Sequence, residues 1–169
     1  MIPVKMAIKH DHENGKYGDC FRACIASILE LPYDEVPHFV MEEDWLAKTS
    51  KWMHDRGYTF VTIPYDGDVP LRDVLLAQSI QNPGMYYMLG GSSPLVNHTV
   101  VCLNDRIVHD PAGRPEGEQI VGPTTDGYYW VEFIGAKETL YGKVDCYICG
   151  GAYRDHSYGQ CPLRNGDVL

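Results

Sequence analysis

Two groups of residues in this 169-residue chain have types and spacings that could do chemistry. The first group begins at Cys20, which follows Gly18-Asp19 and opens an apolar stretch with helical spacing. The unpaired N–H groups and the dipole at a helix start favour a thiolate over a thiol. This position is typical of a nucleophilic cysteine, and a buried core cysteine is the alternative that an isolated helix would favour.

A histidine and an aspartate farther along the chain could complete such a site. His98 begins an apolar strand, and Asp110 follows the next strand, with the turn residues Asn104-Asp105 between the two strands. The hairpin would bring His98 and Asp110 to one end of a sheet, where a carboxylate can fix the imidazole tautomer. A lone histidine is more often structural, so this pair gains weight only together with Cys20.

The second group consists of four zinc-type ligands close together near the C terminus: Cys146, Cys149, His156 and Cys161. Three cysteines and one histidine match closed structural zinc sites more than catalytic ones. A segment of about 25 residues is too short to form a stable hydrophobic core without a bound metal ion. The spacing therefore predicts a structural zinc ion as the cofactor of the tail.

Composition limits the classes of protein to which the chain can belong. It carries 14 Lys+Arg against 23 Asp+Glu and a net charge of -9, which disfavours nucleic acid as a partner. No apolar stretch reaches the ~20 residues of a membrane-spanning helix, and the start is unlike a signal peptide. We therefore expect a cytoplasmic protein without membrane contact, whose six cysteines are core residues, a nucleophile or metal ligands rather than disulfides.

The apolar periodicity predicts helices before most of the strands and hence an α+β fold with an antiparallel sheet. The N-terminal helix begins after Asp19 as its N-cap and ends before Pro32, with Cys24 as a core thiol. Cys102, on a predicted strand, is expected to be a core thiol as well. Two further helices are predicted at about 42–56 and 71–77, and strands at 58–63, 85–89, 97–103, 106–109 and 129–134. Pro64 is expected to end the first strand, and Gly90-Gly91-Ser92-Ser93-Pro94 to form a flexible loop that leads to His98.

Three segments in this order resemble papain-like cysteine peptidases: Gly18-Asp19-Cys20, Asn97-His98 on a strand, and His109-Asp110-Pro111. Within that fold the chain is similar to the double-glycine leader peptidases of bacteriocin exporters. It is also similar, over roughly residues 1–113, to small phage- and prophage-encoded proteins. The resemblance implies a papain-like domain over 1–140, followed by a zinc-knuckle-like tail over 141–169. It also implies Cys20 as nucleophile, His98 as base and Asp110 as the orienting carboxylate.

The chain departs from this family at the oxyanion donor. Papain-like enzymes place a Gln several residues before the nucleophile, and no Gln precedes Cys20. Met6 stands where the phage-type relatives have that Gln, and Asn14 is the candidate that could donate instead. Loss of one such donor costs on the order of 10²–10³ in rate.

These observations favour a thiol-dependent hydrolase of the peptidase, amidase or isopeptidase type, acting on a peptide or protein substrate, which could be a host protein. Two alternatives stay open. The same residues would serve an acyltransferase or transglutaminase-like enzyme, because the acyl group can pass to an amine instead of water. The missing Gln fits a catalytically weak, phage-encoded binding protein that uses a papain-like cleft to engage a host factor.

The zinc site leads to a prediction that metal analysis can check. We expect one zinc ion per chain in protein purified under reducing conditions, and its removal by a chelator should unfold the tail while most of the helix signal in circular dichroism persists. A zinc content near zero, or a disulfide between Cys146 and Cys161 under those conditions, would reject the site.

Overall fold

A computed structural model of the chain describes residues 1–11, 13–94 and 96–136. The expected boundary at residue 140 and the four expected zinc ligands Cys146, Cys149, His156 and Cys161 lie outside the described residues. The helices are α1 (Cys20–Leu29), α2 (Trp45–Asp55) and α3 (Leu71–Gln81). The strands are β1 (Tyr58–Asp66), β2 (Tyr86–Ser92), β3 (Asn97–Leu103), β4 (Arg106–His109) and β5 (Tyr128–Ala136). Short 3-10 turns lie at Tyr33–Glu35 and Phe39–Met41.

The five strands form one antiparallel sheet in the order β1-β5-β2-β3-β4. The last strand of the described chain thus lies between β1 and β2, and the β3–β4 hairpin ends the sheet on the other side. The predicted α+β class with an antiparallel sheet is confirmed. None of the helices in the described residues is long and apolar enough to cross a membrane.

Side-chain alternation along the strands builds an apolar cluster on each face of the sheet. On β2, Met88 faces α1 and α2, where it packs in one cluster with Phe21 and Met53. Tyr87 and Leu89 belong to the second cluster, with residues of α3. The sheet is therefore covered on both faces, and α1 lies on the face to which Met88 contributes.

The first strand does not end at Pro64, as the sequence predicted, but runs through it to Asp66. Pro64 lies opposite Trp130 of β5. Because β1 is an edge strand with a neighbour on one side only, the N–H that proline lacks is not needed by a second partner.

The first three residues of the predicted flexible loop, Gly90, Gly91 and Ser92, are instead part of β2, which ends at Ser92. A Cβ at Gly91 would lie 2.6 Å from Cγ2 of Ile120 and 2.8 Å from the carbonyl oxygen of Gly122. The backbone of Ser92 pairs with the same segment, through its N–H to Gly122 O at 2.8 Å and from Val121 N–H to its oxygen at 2.7 Å. Glycine stands at residue 91 because the backbone of another segment approaches closely.

This close approach predicts that Gly91→Ala destabilises the protein by about 1–3 kcal/mol, the usual cost of overpacking. The added methyl group meets a backbone oxygen that cannot turn aside. Gly90→Ala is the matched control, since its nearest contact is the Cβ of Trp130 at 3.3 Å. Urea unfolding measures both variants, and equal stability of Gly91→Ala and the unmodified protein would contradict the packing described.

Candidate active site

The residue two positions before Cys20 is held tightly against the N-terminal segment. The N–H of Gly18 donates to Nδ1 of His10 at 3.3 Å. A Cβ at Gly18 would lie 3.1 Å from the backbone nitrogen of His10 and 3.2 Å from Cε of Met6. Glycine at this position thus lets the N-terminal segment pack beside the start of α1.

Asp19 occupies the N-cap position of α1, as predicted, but its carboxylate does not cap the helix. The fully buried side chain accepts hydrogen bonds from the N–H of Ile8 at 3.0 Å and from the hydroxyl of Tyr33. An N-cap aspartate ordinarily accepts an N–H from the first turn. Because Asp19 accepts from Ile8 and Tyr33 instead, no side chain caps the N–H groups in the first turn of α1. One of these groups, the N–H of Phe21, contributes to lowering the pKa of Cys20.

The pair formed by His98 and Asp110 is almost inaccessible to solvent. Nε2 of His98 lies 2.8 Å from Oδ1 of Asp110, and each side chain is 2% exposed. The carboxylate also accepts the N–H groups of Ala112 at 2.7 Å and Arg114 at 3.3 Å. Burial alone would raise the pKa of Asp110, but the hydrogen bond and charge of His98, the N–H of Ala112 and the charge of Arg114 lower it. An ionised Asp110 therefore holds the Nε2 proton and leaves Nδ1 to Cys20.

Cys20 and His98 shift each other's pKa in opposite directions. Burial opposes ionisation of the half-buried Cys20, but the hydrogen bond and the charge of His98 bring the thiol pKa below its ordinary value. Burial also opposes the charged form of His98, but hydrogen bonds to Asp110 and Cys20 raise its pKa above the ordinary value. These opposite shifts favour a thiolate–imidazolium pair, the activated form of a nucleophilic cysteine.

Thr99 of β3 joins the site to the helix through its backbone. Its hydrogen bond to Cys20 contributes to the low pKa of that thiol. Its carbonyl oxygen accepts from Sγ of Cys24, one helical turn later, at 3.4 Å. Cys20 and Cys24 therefore contact the same residue, which fixes the position of α1 beside His98.

The two other cysteines of the described chain lie in the core, as predicted. Cys24 and Cys102 are fully buried. Burial raises the pKa of both thiols well above the ordinary value. Among the described cysteines only Cys20 has a lowered pKa, so the difference in environment singles it out.

The structure does not bring Asn14 to the thiol. Its side-chain amide donates to Oδ2 of Asp11 at 2.7 Å, in an exposed turn closed by the pairing of Asp11 with Lys16. The Asp11 carboxylate also accepts the backbone N–H of Asn14 at 3.3 Å, so Asp11 closes this turn and occupies the amide donor of Asn14. Beside the start of α1 lies Met6, whose side chain is an unsuitable donor.

Glu132 of β5 was not expected from the sequence to lie near the site. It is buried, with 3% of its surface exposed. It lies opposite Met88, on the sheet face that α1 covers. Burial, with a contribution from the charge of Cys20, raises its pKa to about 8, so it is mostly neutral at neutral pH. The signal available was a carboxyl residue inside the apolar stretch Val131 to Ile134 of a predicted strand.

No group of three or more histidine, cysteine, aspartate or glutamate side chains in residues 1–136, with 12 and 95 left aside, is arranged to hold a metal ion. The arrangement of Cys20, His98 and Asp110 can instead transfer a proton and form a covalent bond to sulfur.

The lowered thiol pKa predicts the pH dependence of alkylation by iodoacetamide. Because the thiolate is the reacting form, Cys20 should react quickly at about pH 6, well below the pKa of ~8.5 of an ordinary thiol. In His98→Ala the effect of burial and the backbone contributions of Thr99 and Phe21 persist, but the hydrogen bond and charge of the imidazole are lost. The thiol pKa therefore rises, and labelling at about pH 6 should fall at least tenfold. Mass spectrometry of the digested protein assigns the label to Cys20.

Cys24→Ser is the control, since its hydroxyl can still donate to the carbonyl of Thr99. It should keep the fast reaction at Cys20. Equal labelling rates for His98→Ala and the unmodified protein across pH 5–9 would show that His98 does not activate the thiol.

The chain was compared with protein-family models, with curated proteins and with solved structures, and none of the three comparisons gives a match.

Proposed function

We propose that the chain is a thiol-dependent hydrolase of the peptidase, amidase or isopeptidase type. The observation that carries the proposal is the buried hydrogen bond between His98 and Asp110, at 2.8 Å, together with the effect of His98 on Cys20, which lowers the pKa of that thiol against the effect of burial. It gives a partly exposed thiol a lowered pKa beside an imidazole with a raised pKa. Such a combination is costly to build in a protein interior and is what nucleophilic catalysis needs.

The proposed reaction proceeds through an acyl-enzyme. The Cys20 thiolate attacks the carbonyl carbon of the substrate, and a negative charge develops on the carbonyl oxygen. When the bond between the carbonyl carbon and the leaving group breaks, the leaving group keeps the electron pair and takes a proton from the imidazolium of His98. A water molecule then gives a proton to His98 while its oxygen attacks the thioester carbonyl carbon. The C–S bond breaks, the acyl group leaves as a carboxylic acid, and the Cys20 thiolate and the His98 imidazolium are restored. Asp110 stays ionised throughout and stabilises the imidazolium.

The developing oxyanion needs hydrogen-bond donors near Cys20. The N–H of Cys20 is one candidate, because the first residues of a helix have no intrahelical acceptor and Asp19 does not cap them. Asn14 is not supported as the second donor, since Asp11 holds its amide. A site that relies on backbone donors alone would be slower than one with an additional side-chain donor.

The finer fold assignment belongs to the same proposal. The resemblance to papain-like peptidases is supported by a cysteine at the start of a helix that packs on an antiparallel sheet carrying the histidine. We place this domain at 1–140. The tail at 141–169 would hold a structural zinc ion through Cys146, Cys149, His156 and Cys161, as their spacing predicts.

The missing side-chain donor favours a second candidate. Met6 beside Gly18 and the engaged amide of Asn14 are what a binding protein with a degraded oxyanion hole would have. Such a protein would keep the cleft and engage a host factor without turnover. An acyltransferase differs from the hydrolase only in the acceptor of the acyl group.

A generic acyl donor tests the chemistry without knowledge of the substrate. With p-nitrophenyl acetate at about pH 7, we expect a burst of one p-nitrophenolate per chain and an acetyl group on Cys20, because the activated thiolate is acylated faster than the thioester is hydrolysed. The burst should disappear in Cys20→Ser and fall at least tenfold in His98→Ala.

Cys24→Ser should retain the burst, which separates loss of chemistry from loss of packing around α1. Added glycinamide distinguishes the acceptors, since N-acetylglycinamide forms only if an amine can resolve the acyl-enzyme. A reactive Cys20 that shows no burst with the ester would instead support the binding protein.

A further inference from the structure

Arg114 lies next to the candidate site and has an unusual environment. It directly follows the turn from Asp110 to Gly113. The N–H groups of Ala112 and Arg114 donate to the Asp110 carboxylate. The charge of Arg114 also helps to lower the pKa of Asp110. The backbone of this turn thus fixes Arg114 beside the carboxylate that holds His98.

The guanidinium of Arg114 is not neutralised by the described protein. Its Nη1 atom is buried and has no hydrogen-bond partner among the described residues. No carboxylate of the described chain lies within ion-pair distance of it, and the acidic residues of the same loop, Glu116 and Glu118, are exposed. A buried donor without a partner costs about 1–3 kcal/mol, more for a charged group.

Two features make a ligand the suitable partner. Arg114 is only half-buried as a residue, so part of it stays accessible. A guanidinium presents paired N–H groups whose geometry matches a carboxylate. The chain as a whole has a net charge of -9, so a fixed cation at the site is a local exception.

We propose that Arg114 is a substrate-recognition residue of this site and binds a carboxylate of the substrate near the bond that Cys20 attacks. The inference rests on the proposed function and names its substrate class, a peptide that carries a carboxylate within about one residue of the reacting carbonyl. The carboxylate would bind the accessible part of the guanidinium and neutralise its charge.

Maleimide reagents that react with Cys20 test this directly. We would compare 3-maleimidopropionyl-glycinamide, which is neutral, with 3-maleimidopropionyl-glycine and 3-maleimidopropionyl-aspartyl amide. The last two carry a terminal and a side-chain carboxylate, so their rates separate these two sources of the charge. Labelling of Cys20 is followed by mass spectrometry at about pH 6.5, where the paired thiolate is the reacting thiol.

We expect at least one anionic reagent to label Cys20 about fivefold faster than the neutral one, as an ion pair near a protein surface provides. In Arg114→Gln this preference should vanish, so the ratio of the anionic to the neutral rate should fall to about one. Arg114→Lys should keep part of the preference. Arg106→Gln is the matched control and should keep the preference. Arg106 is exposed on β4, and its Nε atom lies 4.0 Å from Oδ1 of Asp105.

Equal rates of the three reagents with the unmodified protein, or a preference that survives in Arg114→Gln, would overturn the inference. A similar fall of all three rates in Arg114→Gln would also overturn it, since Arg114 would then act only through Asp110 and His98. Should Arg114→Gln not fold, loss of the preference in the unmodified protein with rising salt tests the ion pair. Failure of the neutral reagent to label Cys20 would instead count against the proposed function.

Discussion

The hydrogen bond between His98 and Asp110 is the interaction on which the candidate site depends. Both side chains are buried, so the bond forms only if the hairpin of β3 and β4 places them within 2.8 Å of each other. The register of that hairpin shifts between Val101 and Cys102, and His109 is anchored by donating from Nε2 to the carbonyl of Val4 at 2.8 Å. A buried charge that lost its partner would be strongly destabilising, so the pair specifies one arrangement of this end of the sheet.

The nucleophile is positioned by backbone contacts as much as by side chains. Thr99 meets both Cys20 and Cys24, while Asp19 ties the start of α1 to the N-terminal segment and to Tyr33. These contacts come from three parts of the chain that are distant in sequence. The lowered pKa of the Cys20 thiol is thus a property of the packed domain rather than of the helix alone.

Charge is distributed unevenly around the site. Asp110 is ionised and paired, whereas Glu132 has its pKa raised to about 8 because it is buried without a cation beside it. A neutral Glu132 does not repel the thiolate of Cys20. The guanidinium of Arg114 has the opposite character, a positive charge with an unpaired donor.

The sequence by itself determined the α+β class, the span of α1, the β3–β4 hairpin and the core positions of Cys24 and Cys102, because local periodicity, turn residues and apolar neighbours encode them. It also marked Cys20, His98 and Asp110 as a set. Only the tertiary structure decided that Asn14 belongs to a surface turn, and that close approach of another segment requires glycine at residue 91. The same holds for Glu132, whose raised pKa follows from burial under α1. The positions of Gly91 and Glu132 depend on contacts between distant segments, which no local pattern records.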